Sequence, residues 1–181
     1  MPPKAGTWFP TIEDVQNIHD GIIKWLGGDS GIVNLSSAAA ALDFAERGPP
    51  TDARIDVFDR AAFLLRGIAQ DHPFTDGNRR TGLVVAWAFL LVNGFEVVAS
   101  TIEAERFMLE VAQGHRDLVQ YGGLAPQARK EGQIGGPPHV VLNMHEKVPA
   151  SLVRKIKRPA RPAVVKTMED NREVLVRLAK K

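Results

Sequence analysis

Apolar residues recur at helical spacing along most of the chain, and these stripes predict its secondary structure. The clearest stripe runs over residues 57–68, where apolar side chains form one continuous face. An earlier stripe follows Thr11 and Asp14, which have the spacing of a helix capping box. A further helix is predicted from Ala38 to Arg47, with Ser36 or Ser37 as its N-cap.

The segment Leu83 to Val92 is apolar on nearly every side, which predicts a helix buried all round. It is the longest apolar run, and it is shorter than the roughly 20 residues of a membrane span. Asn93 and Gly94 tolerate the left-handed conformation that ends a helix. Another capping box predicts a helix from about residue 100 to residue 113. The last predicted helix covers residues 163–181, and its inward residues are Val164, Met168, Leu175 and Leu178.

These elements predict an all-α fold, a compact helical bundle around a buried central helix. The charge distribution adds a division: residues 1–125 carry 10 Lys and Arg against 16 Asp and Glu, whereas residues 126–181 carry 13 against 5. An acidic body with a basic C-terminal extension suggests two structural units. Between them, residues 122–138 are rich in Gly and Pro and are predicted to be a linker.

Composition restricts the class of protein. The apolar fraction of 44% and charged fraction of 24% are typical of a soluble globular chain. The chain has no cysteine, which excludes disulfides and thiolate metal sites. The N-terminal residues lack the apolar stretch of a signal peptide, so a cytoplasmic location is expected.

The most informative segment is the run from His72 to Gly82, His-Pro-Phe-Thr-Asp-Gly-Asn-Arg-Arg-Thr-Gly. It combines a titratable base, a carboxylate, a flexible turn and a pair of cations just before the central helix. A site that transfers a phosphate-containing group needs these parts. Their place at a helix N-terminus is where anions bind most readily.

This run resembles the signature of the Fic/Doc superfamily. Fic proteins carry H-P-F-x-[DE]-G-N-G-R-x-x-R, and the Doc (death-on-curing) branch carries H-x-F-x-[DN]-x-N-[KR]-R-T, which this chain matches better. The resemblance extends over about residues 8–118 and implies a catalytic domain over residues 8–121. The extension over residues 139–181 lies outside it and has no assigned role.

The resemblance implies a role for each residue of the run. His72 would be the general base that deprotonates a hydroxyl, and Asp76 would help to hold Mg²⁺ between phosphate oxygens. Phe74 would be a buried anchor for the loop. The nucleotide and its phosphates would be bound by Gly77, Asn78, Arg79, Arg80 and Thr81, with Thr81 beginning the central helix and Arg80 gripping a phosphate through two N–H groups.

Two positions depart from the Fic pattern. Arg79 stands where AMP-transferring Fic proteins have Gly and where Doc proteins typically have Lys, and its bulk would crowd the usual phosphate position. Leu83 stands where Fic proteins place a second Arg. Both departures favour transfer of the γ-phosphate, with the nucleotide reversed in the pocket, over transfer of AMP.

Each residue also has an ordinary structural interpretation. Asp76 before Gly77 is a common turn pair, and Arg79 with Arg80 could be a solvated basic pair. Two cations at a helix N-terminus are electrostatically unfavourable without an anion, which favours phosphate binding. The remaining histidines have no metal-ligand spacing. The basic run Arg154–Arg161 lacks the interleaved aromatic residues of a nucleic-acid platform and is interpreted as a solvated tail.

The leading hypothesis is a Doc-type protein kinase that uses ATP and Mg²⁺ to phosphorylate a Ser, Thr or Tyr hydroxyl of a cytosolic protein. In the family this activity belongs to toxins, with translation factors as plausible targets and an antitoxin as partner. An internal inhibitory motif is not matched, since Arg106 follows Thr101–Glu105 where a small residue is required. The alternatives are an AMP-transferring Fic enzyme and a catalytically quiet binding module; neither nucleic acid nor a membrane is favoured as a partner.

Overall fold

The computed structural model describes residues 6–48, 55–96, 102, 104–106, 109, 129–130, 156 and 160–179. Helices dominate these residues, which confirms the all-α class. The only named strands in the described part are two residues long, Phe95–Glu96 (β1) and Arg129–Lys130 (β2), and they pair antiparallel. Strand β2 lies inside the stretch that the sequence predicts to be a linker.

The helices are named in chain order. They are α1 (Ile12–Leu26), α2 (Leu35–Arg47), α3 (Val57–Gln70), α4 (Asn78–Val92), α5 (Ala160–Asp170) and α6 (Arg172–Ala179). Residues 104–106 are also helical, whereas most of the helix predicted from residue 100 lies outside the described residues. No helix in the described ranges is both long enough and apolar enough to cross a membrane.

Side-chain caps set the starts of α1, α2 and α3. The predicted capping box of α1 is confirmed, since the Thr11 hydroxyl accepts the Asp14 N–H at 3.2 Å and the Asp14 carboxylate accepts the Thr11 N–H at 2.9 Å. Helix α2 starts at Leu35, three residues before the predicted start at Ala38. Its N-cap is Asn34, whose side-chain oxygen accepts the Ser36 N–H at 3.1 Å, so the prediction of a serine cap is wrong.

Helix α4 is the centre of the core, as its sequence predicts. Every residue from Leu83 to Leu90 is buried, because α3, α1 and α5 all pack against this helix. The helix begins at Asn78, so Thr81 lies in its first turn and does not begin it. Three helices therefore surround α4, and the motif loop leads into its first residue, Asn78.

A buried cation joins α2 to α3. Arg60 is 3% exposed, and its guanidinium donates at 2.6 Å to each of the backbone oxygens of Ala45 and Glu46, at the C-terminal end of α2. These carbonyls have no partner within their own helix, and the cation also opposes the negative end of the helix dipole. Burial lowers the pKa of Arg60 from its ordinary value, while Asp59 and Glu46 partly oppose the shift.

The described part of the basic extension belongs to the same core. Helix α5 packs on α4, and α6 contacts both α4 and α1. The predicted inward residues are confirmed, since all four are buried: Val164, Met168, Leu175 and Leu178. The single predicted helix is instead two, with a break at Asn171, whose side-chain amide donates to the Thr167 oxygen at 2.9 Å.

The change from acidic to basic composition along the chain is therefore not a boundary between separate cores in the described residues. The covering of α4 by α5 explains why the sequence of α4 is apolar on every side. The predicted domain boundaries at residues 121 and 138 lie outside the described residues.

Candidate active site

The segment that connects α3 to α4 is held in place by the backbone of residues 31–34. The Pro73 oxygen accepts the N–H of Val33 at 2.9 Å, and the Gly31 oxygen accepts the N–H of Thr75 at 3.0 Å. A single antiparallel bridge joins residues 32 and 74. A Cβ at Gly31 would lie 2.4 Å from the Thr75 hydroxyl, so any other residue here would force the Thr75 side chain to move.

His72 is exposed and has a positive φ of 46°, a conformation that residues other than glycine rarely adopt. Its Nδ1 lies 3.4 Å from the Asn78 side-chain nitrogen, a long contact that orients the ring weakly. A strained backbone and an accessible imidazole are the features expected of a functional position rather than of a packed one.

Phe74 and Asn78 fix the middle of the loop. The Asn78 side-chain oxygen accepts the Phe74 N–H at 2.9 Å, and its side-chain nitrogen donates to the Phe74 oxygen at 2.8 Å. Both residues are buried, and the Phe74 ring stacks on the ring of His19 with centroids 3.8 Å apart. Asn78 thus closes the loop onto the first turn of α4, and its side-chain amide is engaged by the loop rather than by solvent.

Asp76 and Arg80 form an ion pair at the start of α4. Asp76 Oδ2 lies 3.2 Å from an Arg80 terminal nitrogen, and Asp76 Oδ1 accepts the N–H of Gly77 in a short contact. The Asp76 side chain is 46% exposed, whereas that of Arg80 is 2% exposed. The second terminal nitrogen of Arg80 donates to the Gly27 oxygen at 2.8 Å. In this structure Arg80 therefore fixes the loop, and the phosphate grip predicted for it stays a prediction.

The turn after α1 packs directly on this ion pair. Gly28 has a φ of 123°, and a Cβ there would lie 2.3 Å from the Asp76 carboxylate and 2.9 Å from the Arg80 guanidinium. Any side chain at this position would displace the pair, and the backbone angle disfavours one in any case. Gly28 therefore lets the end of α1 approach the carboxylate closely.

The first turn of α4 is open to an anion. Its N-cap, Gly77, adopts the left-handed conformation and provides no side-chain hydrogen bond. The helical bonds begin with Thr81, whose N–H reaches the Gly77 oxygen at 2.8 Å. The N–H groups of residues 78–80 thus have no acceptor within the helix, and the helix dipole adds positive potential. Arg79 is partly exposed at this end.

Thr81 is fully buried, and its hydroxyl has no hydrogen-bond partner among the described residues. The site residues therefore divide by exposure. Three of them are reachable from solvent: His72, Asp76 and Arg79. The others support the loop or the helix from within: Phe74, Gly77, Asn78, Arg80 and Thr81.

The described residues contain no cluster of three His, Cys, Asp or Glu side chains able to hold a metal ion. A cation at Asp76 would therefore need most of its ligands from elsewhere. Magnesium accepts this arrangement, since it is commonly held by one or two carboxylates together with water and substrate phosphates. The half-exposed carboxylate beside the open first turn of α4 fits such a shared site.

Comparison with known proteins identifies the family. The family model described as Fic/DOC family matches residues 9–90. "Protein kinase doc" of Escherichia phage P1 is 32% identical over 88 residues, which cover 49% of this chain and 70% of that protein. "Toxin Doc" of Mycolicibacterium smegmatis (strain ATCC 700084 / mc(2)155) is 42% identical over 69 residues, which cover 37% of this chain and 53% of that protein. The chain belongs to the Fic/Doc family, and its match spans about half of the Mycolicibacterium relative.

Three residues of the site lie outside the run from which the sequence predicts it. His19 supports Phe74 from α1, while Gly27 and Gly28 contact the ion pair from the turn that follows. The Gly-Gly pair is visible in the sequence only as a helix end. Neither its pattern nor that of His19 indicates a contact with a loop some fifty residues further along the chain.

Proposed function

We propose that this protein is a Doc-type protein kinase that transfers the γ-phosphate of ATP to a hydroxyl of a target protein. The observation that carries the proposal is the combination of three solvent-accessible groups at one uncapped helix start. His72 offers a base, Asp76 a carboxylate and Arg79 a cation, next to backbone N–H groups that lack helical acceptors. These are the parts that phosphoryl transfer requires.

In the proposed reaction, His72 takes the proton of the target hydroxyl as its oxygen attacks the γ-phosphorus. The bond from that phosphorus to the bridging oxygen breaks, and ADP leaves. Asp76 would hold Mg²⁺, which when bound neutralises phosphate charge. The open N–H groups of residues 78–80 and the Arg79 guanidinium would bind phosphate oxygens.

The choice of phosphoryl over AMP transfer rests on Arg79 and Leu83. A large, permanently charged side chain stands where AMP-transferring relatives have glycine. Leu83 is fully buried, so the position of the second arginine of the Fic pattern is occupied by core packing and supplies no cation. The name of the phage P1 relative, a protein kinase, supports the same choice.

The biological role proposed is that of the toxin of a toxin–antitoxin pair. The support is the name of the Mycolicibacterium relative, Toxin Doc. The partners proposed are therefore an antitoxin protein and a cytosolic target, with translation factors as candidates for the target. Co-purification of a small partner encoded beside this chain, together with relief of growth arrest by that partner, would support the pairing.

The test asks whether label is transferred from the α-phosphate or from the γ-phosphate of ATP. A lysate is incubated with Mg²⁺, the protein and ATP labelled at either the α- or the γ-phosphate, using wild type, His72→Ala and Thr75→Ala. We expect label only from the γ-phosphate. Loss of the base should lower the rate by about 10²–10⁴-fold in His72→Ala with little change in melting temperature, because His72 is exposed.

Thr75→Ala is the matched control, since Thr75 is also exposed in the loop but offers neither a base nor a carboxylate. Label from the α-phosphate would replace the kinase with an AMP transferase. A toxic phenotype that is indifferent to His72→Ala would overturn the enzyme and favour a binding module.

A further inference from the structure

His19 is a buried polar residue that the proposed chemistry does not use. It lies on α1, is 2% exposed, and is separated from the motif loop by more than fifty residues of sequence. An imidazole in an apolar interior is costly unless its nitrogens find partners. Its contacts therefore indicate what the residue does.

Both contacts of His19 with the loop reach residues next to the candidate chemistry. The ring lies nearly parallel to that of Phe74, with an interplanar angle of 7°. Its Nε2 lies 3.1 Å from the backbone oxygen of Asp76. A carbonyl oxygen only accepts, so Nε2 carries the hydrogen of this bond. The other nitrogen, Nδ1, lies 3.5 Å from the exposed carboxylate of Asp20.

The hydrogen bond to the Asp76 oxygen constrains the peptide that joins Asp76 to Gly77. That same peptide carries the Gly77 N–H, which is bonded to Asp76 Oδ1. Rotation of this peptide would break the second bond and leave the carboxylate held by Arg80 alone. His19 on one side and the Arg80 ion pair on the other thus hold Asp76 by its main chain and by its side chain.

We propose that His19 is a positioning residue for the Asp76 carboxylate, and hence for the Mg²⁺ that the proposed function assigns to it. Residues that orient a metal ligand typically change metal affinity or activity by about 10–100-fold when they are lost. The competing explanation is that His19 merely fills the core beneath Phe74. The two explanations differ in whether the hydrogen-bond donor matters once the packing is kept.

Two substitutions separate the donor from the packing. His19→Phe keeps a flat ring against Phe74 and removes the donor, leaving the Asp76 oxygen unpaired. His19→Gln keeps an N–H donor at similar reach and removes the ring. Ile22→Val is the matched control, because it removes a buried methyl group from the same helix without touching a hydrogen bond.

The first measurement needs neither nucleotide nor catalysis. The backbone amide of Gly77 reports directly on the Asp76 carboxylate that it contacts. In metal-free protein, we expect His19→Phe to speed hydrogen exchange of the Gly77 amide, and His19→Gln and Ile22→Val to leave its exchange rate near that of wild type. An unchanged Gly77 exchange rate in folded His19→Phe would overturn the proposal. So would loss of the fold in both His19 variants, which would make the residue a core element.

The second measurement is the Mg²⁺ concentration that gives half-maximal transfer or, if no transfer occurs, half-maximal ATP binding. We expect a rise of about 10–100-fold in His19→Phe, with His19→Gln within about threefold of wild type. If wild type is active and His19→Phe needs the same Mg²⁺ concentration for half-maximal transfer, the positioning role is rejected and the proposed kinase activity is retained. A wild type that transfers no phosphate would reject the kinase, and the Gly77 amide would still decide the role of His19.

Discussion

The two ends of α4 are held by opposite means. At the C-terminal end, the Asn93 side chain donates to the backbone oxygens of Phe89 at 2.8 Å and Trp8 at 3.0 Å, and it accepts the Trp8 N–H at 2.9 Å. At the N-terminal end, Gly77 offers no side-chain cap, and two arginines lie in the turn that the helix dipole makes positive.

The difference teaches where stability and chemistry reside in this helix. At the C-terminal end the protein itself supplies donors to the Phe89 and Leu91 oxygens. The N-terminal end retains unsatisfied donors and carries Arg80 at the cost of burying its charge beside Asp76. Substitutions at the two ends should therefore separate effects on folding from effects on nucleotide binding.

The largest expected effect comes from the two adjacent arginines. Arg80→Ala should lower the free energy of unfolding by about 3 kcal/mol, because it leaves the Gly27 oxygen and the Asp76 carboxylate without their buried partner. Arg79→Ala, at a partly exposed position, should change it by less than about 0.5 kcal/mol and weaken ATP binding about tenfold. Urea unfolding and calorimetric titration measure the two quantities. Equal stability losses would contradict the assigned roles.

The opposite end provides the next effect. Asn93→Ala should lower the free energy of unfolding by about 2 kcal/mol, because three side-chain hydrogen bonds are lost. The affinity for ATP should not change. Asn93→Asp keeps the acceptor for the Trp8 N–H and loses the donors, so it should fall between wild type and the alanine variant. A change in ATP affinity in either variant would contradict the expectation that this end of α4 affects stability only.

Two glycines that flank α4 provide a test of the same comparison with a smaller expected effect on stability. Gly77 and Gly94 flank α4 with positive φ angles of 73° and 86°. Alanine at either should cost about 1 kcal/mol of stability through the left-handed backbone. A Cβ at Gly94 would meet nothing within 4 Å, whereas one at Gly77 would lie 3.0 Å from Ile23. Thermal unfolding should show the larger loss for Gly77→Ala, and only that variant should bind ATP more weakly.

The smallest expected effect concerns the start of α3, a helix capped by the protein's own carboxylates. Asp56 and Asp59 form a capping box. Burial raises the pKa of Asp59; the backbone hydrogen bond with Asp56 opposes this shift, and the charge of Asp56 adds to it. A raised pKa means that the contribution of this group to stability is fully present below its unfolded pKa and declines as pH rises through its folded pKa.

Asp59→Asn should therefore gain stability relative to wild type as pH rises from about 3 to about 7. Urea unfolding of both proteins across this range measures the difference. A gain for wild type over the variant with rising pH would contradict the direction of the shift.

Much of the helical scaffold was predictable, because its signals are local. The capping box at Thr11, the apolar stripe of α3 and the apolar run of α4 each lie within one element, and each appears in the structure. The cap of α2 is less predictable, because Ser36 and Ser37 are good cap residues and Asn34, the actual cap, is at least as good.

The support of the candidate site was not predictable for a physical reason. The residues of the loop form one continuous run, so a single motif resemblance identifies all of them. His19 and Gly28 reach the loop only through the packing of α1 against α4, and nothing in their own sequence neighbourhood indicates that contact. The burial of Arg80 was missed for the same reason, since its partner is a backbone oxygen of a distant turn.

The covering of α4 by α5 also has a consequence for how the chain is made. Helix α4 ends at residue 92 and α5 begins at residue 160. A further 68 residues must therefore be synthesised for the first residue of the covering helix to exist. At about 5–20 residues per second, a ribosome needs roughly 3 to 14 seconds for that stretch. During that time one apolar side of α4 lacks its covering helix on the growing chain.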